Sequence, residues 1–343
     1  MGNTDRYAGE TAVSRTRRAF TAAAGSPVRA RNVRGSSAPR TGTMFNKSFS
    51  DLLEIREASA SSAVGLAEAQ GWRPTMEDAF VMNLDAIPGC SVVAVFDGHG
   101  GSTVSAYGAR ELAPRLAAAL GDCGGDGERA LARVFLDLDA ALRDEHGAAL
   151  DQMGSTVVCV LVAPDSLTCG WLGDSRAVLA VDDGKGGLAA LDLSVDHKAS
   201  NPREAKRVRA AGGFVGRTEQ EARASGARAL FGRMAPALAF RANKKSAFRV
   251  YPGGIALTRC VGARPLKFKN LVTATPETFA RPCDGAEAFL ILACDGVWDV
   301  LDGAAAVKCC AAVAPEKAAE TLVYHAHNKG STDNLTAVVL SWP

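Results

Sequence analysis

The run STVVCVLVAPDSLTCGWLGDSRAVLAV, residues 155–181, decides the fold. It contains two apolar, β-branched segments, 155–164 and 167–181, of the kind that suits a pleated, buried surface. Pro164-Asp165-Ser166 separates them, and Gly173-Asp174-Ser175 interrupts the second; both breaks are built from turn-forming residues. Connections this short leave no room for a crossover, so consecutive strands are expected to run antiparallel. AFLILACDG (288–296) and LTAVVLSW (335–342) read as further buried strands.

Helices stand around these strands. Leu131, Val134, Phe135, Leu138 and Leu142 recur at steps of three and four, which places them on one helical face. In SNPREAKRVRAAGG (200–213), Asn201 is an N-cap, Pro202 occupies the first helical position and Gly212 is the stop. Residues 302–312 and 315–329 read as a pair of short, alanine-rich helices. Strands in a meander, with helices before, between and after them, predict an α+β layered domain.

Bulk properties narrow the class. Of the 343 residues, 47% are hydrophobic and 22% charged, as in ordinary globular proteins. No apolar run approaches the roughly 18 residues of a membrane helix, so a soluble chain with no membrane partner is expected. The nine cysteines are odd in number and scattered, which fits reduced thiols in an intracellular setting, cytoplasmic or nuclear. The net charge of +2 is unevenly spread. Residues 1–50 carry eight arginines and Lys47 against Asp5 and Glu10, a balance of +7 that leaves −5 for the rest. This leader, 1–55, is expected to be disordered. An organelle transit peptide, to a plastid or mitochondrion, is its sharper reading, because such peptides are rich in Arg and Ser and poor in acid.

Several strands end in carboxylates. VVAVF runs into Asp97-Gly98-His99, FLILAC runs into Asp295-Gly296, Asp333 precedes the last apolar strand, and Glu77-Asp78 precede AFVM. One such acid alone is a turn or a helix cap. Four strand ends with the same feature point instead to a cation, since buried carboxylates are costly and repel one another. Oxygen ligands without Cys or His favour Mg²⁺ or Mn²⁺ over zinc, and Gly98 lets a backbone carbonyl approach an ion.

GWRPTMED, VFDGHGG, GST, GDSR, DHKASNPREAKRVRAAGG, ACDGVWDVL and STDNLTAVVL follow one another along residues 62–342. In that order they resemble the motifs of the metal-dependent type 2C protein serine/threonine phosphatases. The resemblance implies a four-layer αββα sandwich of two antiparallel sheets flanked by helices, with a dimetal site at one end. It implies a catalytic domain over residues 56–343 and hydrolysis of phosphoserine and phosphothreonine by water that two Mn²⁺ or Mg²⁺ ions activate, without a covalent phosphoenzyme. Carried over by position, Asp97 would bridge the ions, Glu77 and the Gly98 carbonyl would hold one, and Asp295 and Asp333 the other. Asp174 and Asp299 would help a weaker third ion, and Asp78 would orient the site from behind. Arg73 would clamp phosphate, and His99 would protonate the leaving oxygen, against a plainer reading of His99 as the cap of a helix starting near Ser102. His197 reads as structural.

Two departures stand out. Ala263 follows Gly262 where the family usually has Asp, which touches loop geometry and activity but none of the expected metal ligands. A basic segment, 214–253, corresponds to the family's flap; Gly216–Pro252 carries eight basic residues against Glu219 and Glu221. It suits acidic phosphoprotein substrates, and nothing in it suggests nucleic acid. The expected protein is a monomeric phosphatase. A phosphatase-like, non-catalytic binding regulator and a hydrolase of small phosphate esters are the alternatives.

Overall fold

A computed structural model describes residues 63–87, 89–219 and 247–341, together with two earlier strand segments. In chain order the elements are β1 (Val33–Gly35), β2 (Leu53–Ala58), β3 (Ala63–Ala69), β4 (Ala79–Ile87), β5 (Cys90–Phe96), β6 (Gly98–His99), α1 (Thr103–Asp122) and α2 (Gly127–His146). β7 (Gly154–Ser155), β8 (Val157–Val162), β9 (Ser166–Leu172), β10 (Arg176–Asp182), β11 (Leu188–Asp192), α3 (Pro202–Ala210), β12 (Phe214–Gly216) and β13 (Arg249–Tyr251) follow. The chain closes with β14 (Val261–Gly262), β15 (Glu277–Pro282), β16 (Glu287–Ala293), α4 (Asp295–Trp298), α5 (Gly303–Ala311), α6 (Pro315–Asn328) and β17 (Leu335–Ser341).

Two six-stranded antiparallel sheets form the middle layers, one in the order β1-β4-β5-β8-β9-β15 and the other β11-β10-β16-β17-β3-β2. Phe80, Val93, Val95 and Val158 of the first meet Leu66, Leu179, Leu290, Leu292 and Val338 of the second in an apolar core. Helices α1 and α2 cover the outer face of the first sheet, with Leu112, Leu116, Leu131, Phe135 and Leu138 buried against Val92, Ala94 and Cys159. Helices α5 and α6 cover the second, where Leu322 and Val323 pack on Val178, Ile291 and Val339. With both faces covered, every residue of β8 and β17 is buried, which explains why these strands are continuous apolar runs rather than alternating ones. The αββα sandwich is therefore as expected.

The helix signals hold in detail. The five-residue stripe of α2 is wholly buried. Asn201 Oδ1 accepts from the Arg203 N–H at 3.0 Å, and Gly212 turns the chain after α3 with φ +86°. One expectation is corrected. Although β8 and β9 form the expected hairpin, β9 and β10 do not pair. β9 already has β8 and β15 on its two edges, so the chain passes at Gly173-Asp174-Ser175 into the other sheet, where β10 lies between β11 and β16. That crossing carries Asp174 to the end of the sandwich. β2, paired along β3, runs across the expected boundary at residues 55–56. β12 and β13 form a two-stranded stalk for the basic segment, of which residues 220–246 lie outside the described residues, as does most of the leader.

Truncating Leu131, fully buried between α2 and the first sheet, to Ala removes a side chain from a site that cannot collapse. Leu131→Ala is expected to cost about 2–5 kcal/mol, read as a lower urea midpoint with an unchanged slope.

Candidate active site

Antiparallel pairing brings the acids to one end. β5 ends just before Asp97, and its neighbour β4 begins just after Asp78. β16 ends before Asp295, and its partner β17 begins after Asp333. The sheet crossing supplies Asp174. Five carboxylates from distant parts of the chain thus share one rim.

Their environment penalises charge. Burial, then Asp295, Asp78, Asp174 and Asp333, push Asp97 well above the usual carboxylate range. Burial, with Asp295 next, pushes Asp174 up to about 8. Asp295 rises to about 6 through burial and its neighbours Asp299 and Asp333. Asp78 rises to about 7, mainly by burial, against hydrogen bonds that favour its charged form. One of these comes from Thr336 Oγ1 to Asp78 Oδ2 at 2.7 Å, while Asp78 Oδ1 is buried with no hydrogen-bond partner.

A polar frame holds the acids in place. Asn334 donates from Nδ2 to the carbonyls of Gln70 (2.8 Å) and Thr75 (3.0 Å), and its Oδ1 accepts from the Glu77 N–H at 2.9 Å. One amide side chain therefore binds the segment of Glu77 to that of Asp333. Glu77 Oε1 accepts from Thr75 Oγ1 at 2.8 Å, and Oε2 from the Gly101 N–H at 3.2 Å. A Cβ on Gly98 would lie 2.3 Å from the Glu77 carbonyl oxygen, so this close approach requires glycine. The Asp97 N–H donates to Thr156 Oγ1 at 3.2 Å, and the Asp97 carbonyl accepts from the Thr156 N–H at 2.9 Å.

Two protein cations neutralise part of the rim. Arg73 Nη2 lies 2.5 Å from Asp333 Oδ2, with the side chain more than half exposed. Lys198 Nζ lies 2.6 Å from Asp299 Oδ1 and 3.6 Å from Asp196 Oδ2. Among the described residues, no three acid, histidine or cysteine side chains are gathered tightly enough to enclose an ion as they stand. The donor chemistry nevertheless fits hard divalent ions. The donors are all oxygen, several acids are raised by burial and mutual repulsion, and the glycine-lined approach leaves room for a backbone carbonyl.

His99 does not cap α1: the N-cap is Ser102, without a side-chain bond. Its ring lies against Gly154, where a Cβ would come 2.4 Å from Nε2, and Nε2 is buried without a partner. Burial lowers His99 to about 4, with Glu77 opposing and Lys267 assisting. The imidazole is thus neutral at pH 7 until an anion is placed beside it. His197 is buried, stacked on Trp171 at 5.8 Å, and accepts from the Gly173 N–H at 3.2 Å beside Asp174. Ala263, the departure noted above, is buried with left-handed φ 49° and ψ 44°, a conformation Asp and Asn tolerate better than Ala.

Sequence reasoning assigned no part to Thr75, Thr156, Asn334, Thr336 or Lys198. All five stood inside the quoted motifs, Asn334 and Lys198 next to Asp333 and His197, but nothing in the sequence marked the part that Thr75, Thr156 or Thr336 plays.

The family model described as protein phosphatase 2C matches residues 62–335. The chain belongs to the protein phosphatase 2C family. It is 34% identical over 298 residues to the human "Probable protein phosphatase 1N", covering 84% of this chain and 62% of that protein. It is 32% identical over 305 residues to the Arabidopsis thaliana "Probable protein phosphatase 2C 71", covering 85% of this chain and 60% of that protein. The chain thus spans about three fifths of the length of these two curated relatives. In three dimensions it superposes on the serine-threonine phosphatase 2C from Toxoplasma gondii with a TM-score of 0.64 at 21% identity, covering 85% of this chain and 99% of that one. A Caenorhabditis elegans sex determining protein gives 0.65 at 24% identity, covering 83% and 66% respectively. At these identities the two structures establish the shared fold. No helix among the described residues is long and apolar enough to cross a membrane.

In this protein phosphatase 2C chain the acid rim has a consequence for stability. Asp78, Asp174 and Asp295 keep their protons in the fold at pH values where the unfolded chain has lost them. The folded state then binds more protons, and stability falls as pH rises. Between pH 6.5 and 8 the protein in EDTA should lose on the order of 2 kcal/mol. The three carboxyls outweigh the smaller, opposite contribution of His99 and His197, whose lowered pKa values favour the fold as pH rises through the ordinary histidine range. Excess Mn²⁺ should remove most of that slope, as measured by urea titration at the two pH values.

Proposed function

We propose that this chain is a Mn²⁺- or Mg²⁺-dependent protein phosphatase that hydrolyses phosphoserine and phosphothreonine. The observation that carries the reading is the set of mutually destabilised carboxyls at one end of the sandwich, with an exposed arginine at its rim. Asp97, Glu77 and the Gly98 carbonyl would hold one ion, Asp97, Asp295 and Asp333 a second, and Asp174 with Asp299 a weaker third. When bound, such ions offset the carboxylates and lower the pKa of water enough to make it a nucleophile near neutral pH.

The remaining work falls to side chains. Asp78, fixed by Thr336, accepts a hydrogen bond on its free Oδ1 and so orients what lies at the rim. Arg73 uses one of its five N–H donors on Asp333, leaving the others to grip phosphate oxygens in a planar fork. A phosphoester dianion beside His99 raises the imidazole pKa, so the ring gains a proton where the leaving oxygen needs one. Lys198 balances Asp299 and Asp196 at the outer edge. Phosphorylated proteins are the substrate class. The basic segment 214–253 favours acidic ones, and reversing Arg241, Lys244 and Lys245 should raise KM for acidic phosphopeptides at low salt. An unchanged KM would remove the segment from recognition.

The test is hydrolysis of a phosphothreonine peptide by the full chain with Mn²⁺, with Mg²⁺ and with EDTA. Activity should require the metal. Asp295→Asn should reduce it by more than the roughly 10–100-fold that altering a supporting partner costs. Arg73→Ala should raise KM while the EDTA-sensitive activity persists. Metal-dependent binding of the peptide without turnover would favour a non-catalytic binding protein instead.

A further inference from the structure

A cavity of about 700 Å³ opens between the C-terminal half of α2 and the segment that follows β14. Val104, Leu142 and Leu150 give it an apolar floor, and Phe268, 66% exposed, stands at its wall. Arg143 and Arg264 also line it, both with side chains more than half exposed. Arg143 Nε donates to its neighbour Asp144 at 3.0 Å, and Arg264 Nη1 is 4.0 Å from Asp151 Oδ1. Both guanidinium groups therefore retain N–H donors. Lys267 is committed to Asp139, which also accepts from the Gly262 N–H at 2.8 Å. The lining itself carries three cations and two carboxylates, a single positive excess that Asp144, bonded to Arg143 from outside the lining, partly offsets.

The cavity is tied to the candidate active site by register. In the three-stranded sheet β14-β7-β6, Gly154 faces His99 on one side and Gly262 on the other. His99, Gly154 and Gly262 thus lie in one line across the strands, and Gly262 borders the cavity. Two strand spacings set His99 and Gly262 about 10 Å apart, the reach of about three residues of extended peptide. A peptide whose phosphorylated side chain meets His99 can therefore lay its flank in the cavity.

We infer that this cavity is a substrate subsite for a residue about three positions from the phosphorylated serine or threonine. It takes an apolar side chain on the Val104–Leu142–Leu150 floor, with a neighbouring carboxylate held by Arg143 and Arg264. The inference rests on the phosphatase reading and narrows its substrates to those with an apolar-acidic flank.

Two phosphothreonine peptides test it, one with Leu-Asp placed three and four residues from the phosphothreonine on both sides, the other with Ala at those positions. Two exposed charge contacts and a buried leucine together should give the Leu-Asp peptide at least a tenfold lower KM with the wild-type chain. The Arg143→Ser/Arg264→Ser variant and Phe268→Ala should each lose most of that preference and hydrolyse p-nitrophenyl phosphate as the wild type does. Equal KM values for the two peptides with the wild-type chain overturn the inference and leave the phosphatase reading standing. If neither peptide nor p-nitrophenyl phosphate is turned over, the phosphatase reading fails. Fluorescence anisotropy of the labelled peptides then decides the cavity alone: a preference lost in the variants supports it, and equal affinities overturn it. A change in self-association on Phe268→Ala, with peptide affinity unaltered, would give the cavity to a second copy of the chain and also overturn the inference.

Discussion

Like charges held out of water set the terms for the rest of this molecule. Asp78, Asp97, Asp174 and Asp295 each sit where burial disfavours the carboxylate, and each feels at least one of the others. A cluster of this kind survives in a folded chain only if the surrounding structure over-determines it. The two helix-covered sheets supply that rigidity: their strand ends are fixed by continuous apolar burial, so the carboxyls cannot drift apart to relieve repulsion. The polar frame of Asn334, Thr336, Thr75 and Thr156 then holds the Glu77 and Asp78 side chains and the Asp97 backbone in place.

Catalytic promise and instability have a common origin here. The repulsion that raises the carboxyl pKa values is what divalent ions would relieve, so their binding and the fold's stability are linked. Arg73 and Lys198 give partial relief from within the chain, through Asp333 and Asp299.

Much of this was legible in the residues. Continuous apolar strands, the α2 stripe and the Asn201-Pro202 start of α3 are local patterns, and local physics decided them. The acids at strand ends were legible because an apolar run broken by Asp-Gly is unusual when repeated. The sheet crossing at Gly173–Ser175 was not, because turn residues specify that the chain reverses, not which sheet it enters. Nor was the frame: Thr336 and Asp78 are 258 positions apart, and no periodicity links them. Ala263 was marked by its departure from the family pattern, but its left-handed backbone became visible only in the structure.

The most direct test of the central claim is calorimetric titration of Mn²⁺ into the metal-free chain, in buffers of different ionisation enthalpy, at pH 6.5 and 8.5. If the carboxyls hold protons because they are buried together, Mn²⁺ binding should release protons at pH 6.5 and release fewer at pH 8.5. Binding that releases no protons at either pH would mean the acids are already ionised and independently solvated, and the account of the site would be wrong.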